Sequence, residues 1–169
     1  MIQLDLLKLN KISPYKVFPS SRKGYYGFVS KSGVEFAIGF ELDDFISSNS
    51  YQLIIVNANH KASPRDKYVR DTIFAIVSEF FRLNNVTMLY ICESGDGKQA
   101  MRSRLFTYWF SEFIDKGKYT LLQSSIVDDE GIDNFFAIIP RSRETEISQG
   151  ASQFSNYSNR VLINSSCNS

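Results

Sequence analysis

Short apolar runs broken by glycine and serine open the chain: Tyr15-Lys16-Val17-Phe18, Tyr25-Tyr26-Gly27-Phe28-Val29 and Val34-Glu35-Phe36-Ala37-Ile38-Gly39-Phe40. Runs of this kind, rich in β-branched and aromatic residues and bounded by turn formers, read as strands. The second and third are joined by a few residues ending in Gly33, which predicts a hairpin and antiparallel pairing. A β-meander therefore begins the fold. After a polar loop around Ser47-Ser48-Asn49-Ser50, Leu53-Ile54-Ile55-Val56 is apolar on both faces, as a central buried strand is, and Asn57-Ala58-Asn59-His60 ends it.

The period then changes from two to 3.6. Val69, Ile73, Ile76, Val77 and Phe80 fall on one helical face. The start signals before them place Ser63 as N-cap, Pro64 in the first helical position and Asp66 in a pair resembling a capping box. Asp66 with Arg70, and Lys67 with Asp71, stand one turn apart on the exposed sides. The helix ends near Asn84-Asn85, and Val86-Thr87-Met88-Leu89-Tyr90-Ile91-Cys92 reads as a second buried strand. Strand, helix, strand is a βαβ unit, so the Leu53 and Leu89 strands should run parallel with a right-handed crossover. Glu93-Ser94-Gly95-Asp96-Gly97 opens a second helix from about Lys98 to Ile114. Met101, Leu105, Tyr108, Trp109, Phe110 and Phe113 give it a broad apolar face, which predicts burial on more than one side. Tyr119-Thr120-Leu121-Leu122 and Phe135-Phe136-Ala137-Ile138-Ile139, separated by Asp128-Asp129-Glu130-Gly131 and closed by Pro140, form a closing hairpin. The expected fold is thus α/β (α+β): a single mixed sheet with an antiparallel meander, a βαβ unit, a second helix and a last hairpin.

Composition sets the limits of this picture. The 169 residues are one domain's worth of chain, enough to bury about 70% of the unfolded surface. Residues 1–140 read as one globular α/β domain and 141–169 as a Ser/Asn-rich tail whose one apolar patch is Val161-Leu162-Ile163. A hydrophobic content of 43% with 14% aromatic residues excludes disorder for the body. Nineteen Lys and Arg against 18 Asp and Glu leave a net charge of +1, so no whole-molecule field draws nucleic acid or an anionic membrane. The amino terminus lacks a basic n-region, and no apolar stretch approaches the roughly 18 residues of a membrane span. Cys92 and Cys167 form no disulfide framework, which fits a reducing cytoplasm, and one histidine without a Cys-x-x-Cys pair argues against structural zinc.

Ligands of open sheets favour the crevice outside the carboxyl ends of parallel strands. That edge carries Asn57, Asn59 and His60 from one strand end and Glu93, Ser94, Asp96 and Lys98 from the other. In the functional reading Glu93 or His60 supplies a base, Lys98 or Arg102 holds an anion, and the amides near Gly95 and Gly97 donate at a helix start. In the competing reading Asp96 or Ser94 caps the second helix and the glycines shape a turn. Asp96-Gly97-Lys98 with Glu93 also carries the acidic and lysine groups of a metal-dependent nuclease. Cys92, at the end of a buried strand, reads as packing rather than as a nucleophile. Gly-x-Ser-x-Gly, P-loop and Gly-x-Gly-x-x-Gly fingerprints do not occur.

Two resemblances follow from these residues. Asp66-Lys67-Tyr68-Val69-Arg70-Asp71-Thr72-Ile73, Leu89-Tyr90-Ile91-Cys92-Glu93-Ser94-Gly95-Asp96-Gly97-Lys98-Gln99 and Arg102, Leu105, Phe106, Trp109 and Phe110 resemble an uncharacterised family of small bacterial proteins, a domain of unknown function. The order of elements is similar to the later part of the GCN5-related N-acetyltransferase fold, in which acyl-CoA enters where two parallel strands splay apart. That resemblance implies an acyl-CoA cofactor, with Lys61 to Arg65 standing where the pyrophosphate is cradled and Leu105-Phe106-Thr107-Tyr108-Trp109-Phe110 where a Leu-Tyr-x-x-Gly-Phe motif often stands. Phe106 occupies the place of that family's tyrosine acid, so Tyr108 would substitute for it. The cradle loop here has no glycine and is followed by Asp66. Three hypotheses emerge: an acyl-CoA-binding N-acyltransferase-like protein, working or degenerate; a non-catalytic interaction module with closed strands, an exposed aromatic patch and self-association; and a metal-dependent nuclease.

Overall fold

The computed structural model describes residues 3–43, 49–92, 97–112, 119–127, 131 and 133–139. Within them the chain runs α1 (Leu6–Ile12), β1 (Phe18–Pro19), β2 (Tyr25–Val29), β3 (Glu35–Leu42), β4 (Ser50–Asn57), α2 (Lys67–Leu83), β5 (Thr87–Ile91), α3 (Gln99–Ser111), β6 (Leu122–Val127) and β7 (Asp133–Ile139). The strands hydrogen-bond in the order β1-β2-β3-β4-β5-β7-β6, a mixed sheet. Two compact units share this framework: Met1–Glu41 with Leu53–Asn85, and Leu42–Gln52 with Val86–Ser169. β4 belongs to both, its first three residues to the second unit and the rest to the first.

In the first unit the predicted meander pairs Tyr25 with Gly39, Phe28 with Phe36 and Val29 with Glu35. The hairpin turn is closed by the Ser30 N–H on Val34 O and the Gly33 N–H on Ser30 O, both at 2.9 Å, with Gly33 at φ 75°. Only a residue without Cβ takes that conformation at low cost. A Cβ at Gly39 would fall 2.4 Å from the Tyr25 ring, so this glycine makes room for the cross-strand aromatic. Phe28, Ile38 and Phe40 send their side chains into a core completed by Val69, Ile73, Ile76, Val77 and Phe80 of α2, all buried. Phe40 and Phe80 stack with ring centroids 3.8 Å apart. Each such aromatic buries some 150–250 Å², enough to make this contact a principal anchor of the helix.

Three details of this unit differ from the sequence reading. Asp66, not Ser63, caps α2, since the chain stays non-helical through residues 61–66 and the Asp66 carboxylate takes the Tyr68 N–H at 2.9 Å. The first strand is Phe18–Pro19, because Asn10 holds the Val17 backbone at both its N–H (2.7 Å) and its carbonyl (2.9 Å) before pairing begins. α1, which the sequence reading did not foresee, is capped by Asp5 and held by Leu9, fully buried.

In the second unit the Thr87 N–H donates to Asn49 O at 3.2 Å, joining the beginnings of β4 and β5, the arrangement of two strands running in the same direction. β7 lies between β5 and β6 and pairs antiparallel with both: Leu89 meets Ile138, and Ile138 meets Leu122. Flanked on each side, Ala137, Ile138 and Ile139 are buried. The closing hairpin starts later than its apolar signal indicated. Its first strand is Leu122–Val127, whose Gln-Ser-Ser stretch alternates exposed and half-buried positions, while Tyr119 makes an isolated bridge. Among the described residues no helix is long and apolar enough to cross a membrane.

Candidate functional site

The loop after β4 is built by two asparagines. Asn59 Nδ2 donates to Gly33 O at 2.9 Å, and its Oδ1 accepts from the Glu35 N–H at 3.2 Å and the Lys61 N–H at 3.5 Å. Asn57 Nδ2 donates to Lys61 O at 2.7 Å, and the Ala58 N–H reaches Glu35 O at 2.7 Å. The side chains thus sew the loop onto the β2–β3 hairpin. His60 sits between them at φ 54°, exposed, in the left-handed region that histidine tolerates better than bulky residues. Lys61 and Arg65 are exposed. Asn57 Oδ1 is buried and finds no partner among the described residues.

At the start of α2 the Asp66 carboxylate has two partners. One oxygen accepts the Tyr68 N–H; the other accepts the Tyr15 hydroxyl at 2.5 Å. Burial, and then this bond to Asp66, hold the Tyr15 phenol above its ordinary pKa. A carboxylate at the N-cap satisfies the helix's orphan amides and places negative charge where a bound anion would sit. The start of α2 is therefore filled from within the protein.

Of the predicted residues in the second unit, Glu93, Ser94 and Asp96 lie outside the described residues, as do the 141–169 segment and Cys167. Lys98 stands at the N-cap of α3 and makes no side-chain capping bond, following Gly97 at φ 67°. Cys92 is a free, buried thiol pushed above its ordinary pKa by burial, with the Tyr90 hydroxyl and the Arg102 charge acting against that shift. A thiol so held is a packing residue more than a nucleophile. Among the described residues no group of three His, Cys, Asp or Glu side chains is arranged to hold a metal ion.

α3 itself departs most from its sequence reading. Its inner face carries Phe106, buried and stacked on Tyr90 at 4.1 Å, and Thr107 Oγ1 receives Gln123 Nε2 at 2.6 Å. Its outer face carries Met101, Leu105 and Tyr108, which are 53%, 44% and 59% exposed. The apolar girth expected to mean burial on more than one side is instead one buried face and one apolar stripe open to solvent. Tyr108 lies on that outward stripe, about 120° around the helix from Arg102. The signal was present in the i, i+4, i+7 spacing of the three residues, which by itself does not say whether such a stripe is covered.

The model of a family of unknown function, DUF6169, matches residues 65–156, more than half of the chain, spanning α2, β5, α3, β6 and β7 and continuing past Pro140. The chain belongs to DUF6169. The resemblance seen in the Asp66–Ile73 and Leu89–Gln99 segments falls inside the matched region. The matched region takes in the whole of α3 and residues 141–156 of the Ser/Asn-rich segment. Neither the curated proteins nor the solved structures give a match.

Proposed function

We propose that this chain is a non-catalytic interaction module whose contact surface is the outer face of α3. The observation that carries the reading is the solvent-open stripe of Met101, Leu105 and Tyr108 on a helix whose opposite face is already satisfied by Phe106 and Thr107. Three large apolar side chains contiguous on one helix are the composition of a contact patch rather than of a scattered surface. Two polar groups of the first unit support the same reading, because Asn59 and Asp66 spend their hydrogen bonds on the protein itself. The free Cys92 accords with a cytoplasmic setting.

The test is the pair of variants Leu105→Lys and Tyr108→Lys, made separately. Side chains that serve a partner and not the core leave stability within about 0.5 kcal/mol of the parent in urea unfolding. A loss of several kcal/mol in either would mean the stripe is core, and the reading would fall.

A second reading, an acyl-CoA-binding N-acyltransferase-like protein, is favoured by the succession of meander, strand, helix, strand, helix and hairpin and by the common direction of β4 and β5. In it Glu93 or His60 is the base, Tyr108 the acid, and Lys61, Arg65, Lys98 and Arg102 contact the cofactor. Calorimetric titration with CoA and acetyl-CoA separates the two. The interaction module gives no heat at millimolar ligand; micromolar binding weakened by Lys61→Ala or Lys98→Ala would transfer the case to the acyltransferase-like protein.

A further inference from the structure

We propose that the partner of α3 is a second copy of this chain, the two α3 helices packing antiparallel about Leu105 and Tyr108. The inference rests on the interaction-module reading above and names its partner.

The exposed positions of α3 and the residue that follows it are Met101, Arg104, Leu105, Tyr108, Ser111 and Glu112. They recur at the i, i+3, i+4, i+7 spacing of a helix-pairing seam, and its apolar members lie at the centre and the amino-terminal end. The charges flanking that centre have opposite signs: Arg104 on the amino-terminal side, Glu112 on the carboxyl-terminal side. Both are exposed. Eight residues separate them, about 12 Å along one helix, too far to pair within it.

A two-fold axis perpendicular to the helices resolves this arrangement. When Leu105 lies opposite the partner's Tyr108, Tyr108 lies opposite the partner's Leu105, and Met101 covers the aliphatic stem of the partner's Glu112. Arg104 then falls within one helical turn of that same carboxylate, and the contact is made twice. Parallel pairing does the reverse: it sets Arg104 beside the partner's Arg104, Glu112 beside the partner's Glu112, and the helix dipoles side by side in the same sense. Charge therefore selects the antiparallel pair. The apolar stripe covers on the order of a few hundred Å² per copy, less than the roughly 800 Å² per partner of standard stable interfaces. The dimer should accordingly be weak, with a Kd of roughly tens to hundreds of micromolar.

Sedimentation equilibrium of the full chain from about 10 to 500 μM is the experiment, with circular dichroism of each variant to show that it is folded. The parent should dimerise with concentration, and Leu105→Lys and Tyr108→Lys should be monomers. Arg104→Glu and Glu112→Arg should each weaken the dimer by at least about fivefold, and the double exchange should restore it to within about twofold. A parent that stays monomeric throughout would overturn the pairing. So would a dimer that survives Leu105→Lys and Tyr108→Lys, or one indifferent to the charge exchange. Failure of the pairing alone is distinguishable from failure of the interaction reading: in the first case Leu105→Lys is as stable as the parent, in the second it is not.

Discussion

Replacing Asp66 by alanine removes one carboxylate and two bonds of different kinds. One oxygen caps α2 through the Tyr68 N–H at 2.9 Å; the other accepts the Tyr15 hydroxyl at 2.5 Å. Losing an N-cap costs about 1 kcal/mol. Losing a hydrogen bond to a charged acceptor costs about 1.5 to 3 kcal/mol when well shielded, and Asp66 is half-buried, so the lower end applies. The sum is roughly 2 to 3 kcal/mol, or a fall in Tm of about 4 to 12 °C for a chain of this size. The consequence extends beyond the helix end, because Tyr15 also receives the Lys31 N–H at 3.0 Å, donates its own N–H to Thr72 at 3.2 Å and stacks against Phe28 at 6.0 Å. Urea unfolding of Asp66→Ala, Asp66→Ser, Tyr15→Phe and the Tyr15→Phe/Asp66→Ala double variant separates the contributions. Serine keeps the cap and loses the tyrosine bond, so it should recover about 1 kcal/mol, and the double-variant cycle should show a coupling of about 1 kcal/mol or more between Tyr15 and Asp66. An Asp66→Ala loss below about 0.5 kcal/mol, or serine no better than alanine, would refute the assignment of Asp66 as an internal structural group and reopen the start of α2 to a ligand.

Gly39→Ala should destabilise by about 1 to 3 kcal/mol in the same assay, since its Cβ would lie 2.4 Å from the Tyr25 ring and the ring is fixed by its hydroxyl bond to Glu41 at 2.7 Å. An unchanged midpoint would show the ring free to move. The Tyr25 phenol is raised to about 12 by burial and then by that bond, whereas in the unfolded chain it ionises near 10. Its contribution is full below pH 10 and is lost as pH rises through about 12, so the parent should lose stability across that window and Tyr25→Phe should lose less; equal slopes would contradict the assignment. At φ 54°, His60→Gly should be neutral or stabilise by roughly 0.5 kcal/mol and His60→Val should destabilise by about 1 kcal/mol or more, whereas a loss on the glycine change would give the imidazole a structural role.

The elements with strong periodicity were legible in the sequence. The β2–β3 hairpin, the apolar series Val69, Ile73, Ile76, Val77 and Phe80 on the buried face of α2, and the two strands around it follow directly from short apolar runs, helical spacing and the Gly33 turn. What periodicity does not encode is which surfaces meet. α1 has a single core residue, Leu9, and so carried too little pattern to be seen. β6 reads as polar because its Gln-Ser-Ser core lies beside β7 without deep burial. Asp66 displaced Ser63 as the cap because Tyr15, distant in sequence, supplies its second bond. The same limit applies to the candidate edge: the roles of Asn57 and Asn59 depend on the Gly33 carbonyl and the Glu35 and Lys61 backbones, which no local spacing reveals. For α3, spacing showed the apolar stripe but not that it stays open.

The central claim, that the outer face of α3 is the working surface, is tested most directly by a two-dimensional amide NMR dilution series of the full chain. Dilution from about 500 to 10 μM should shift the amides of residues 101–112 together along one binding curve and leave 57–66 still. Spectra unchanged on dilution, with shifts appearing at 57–66 when CoA is added, would contradict it.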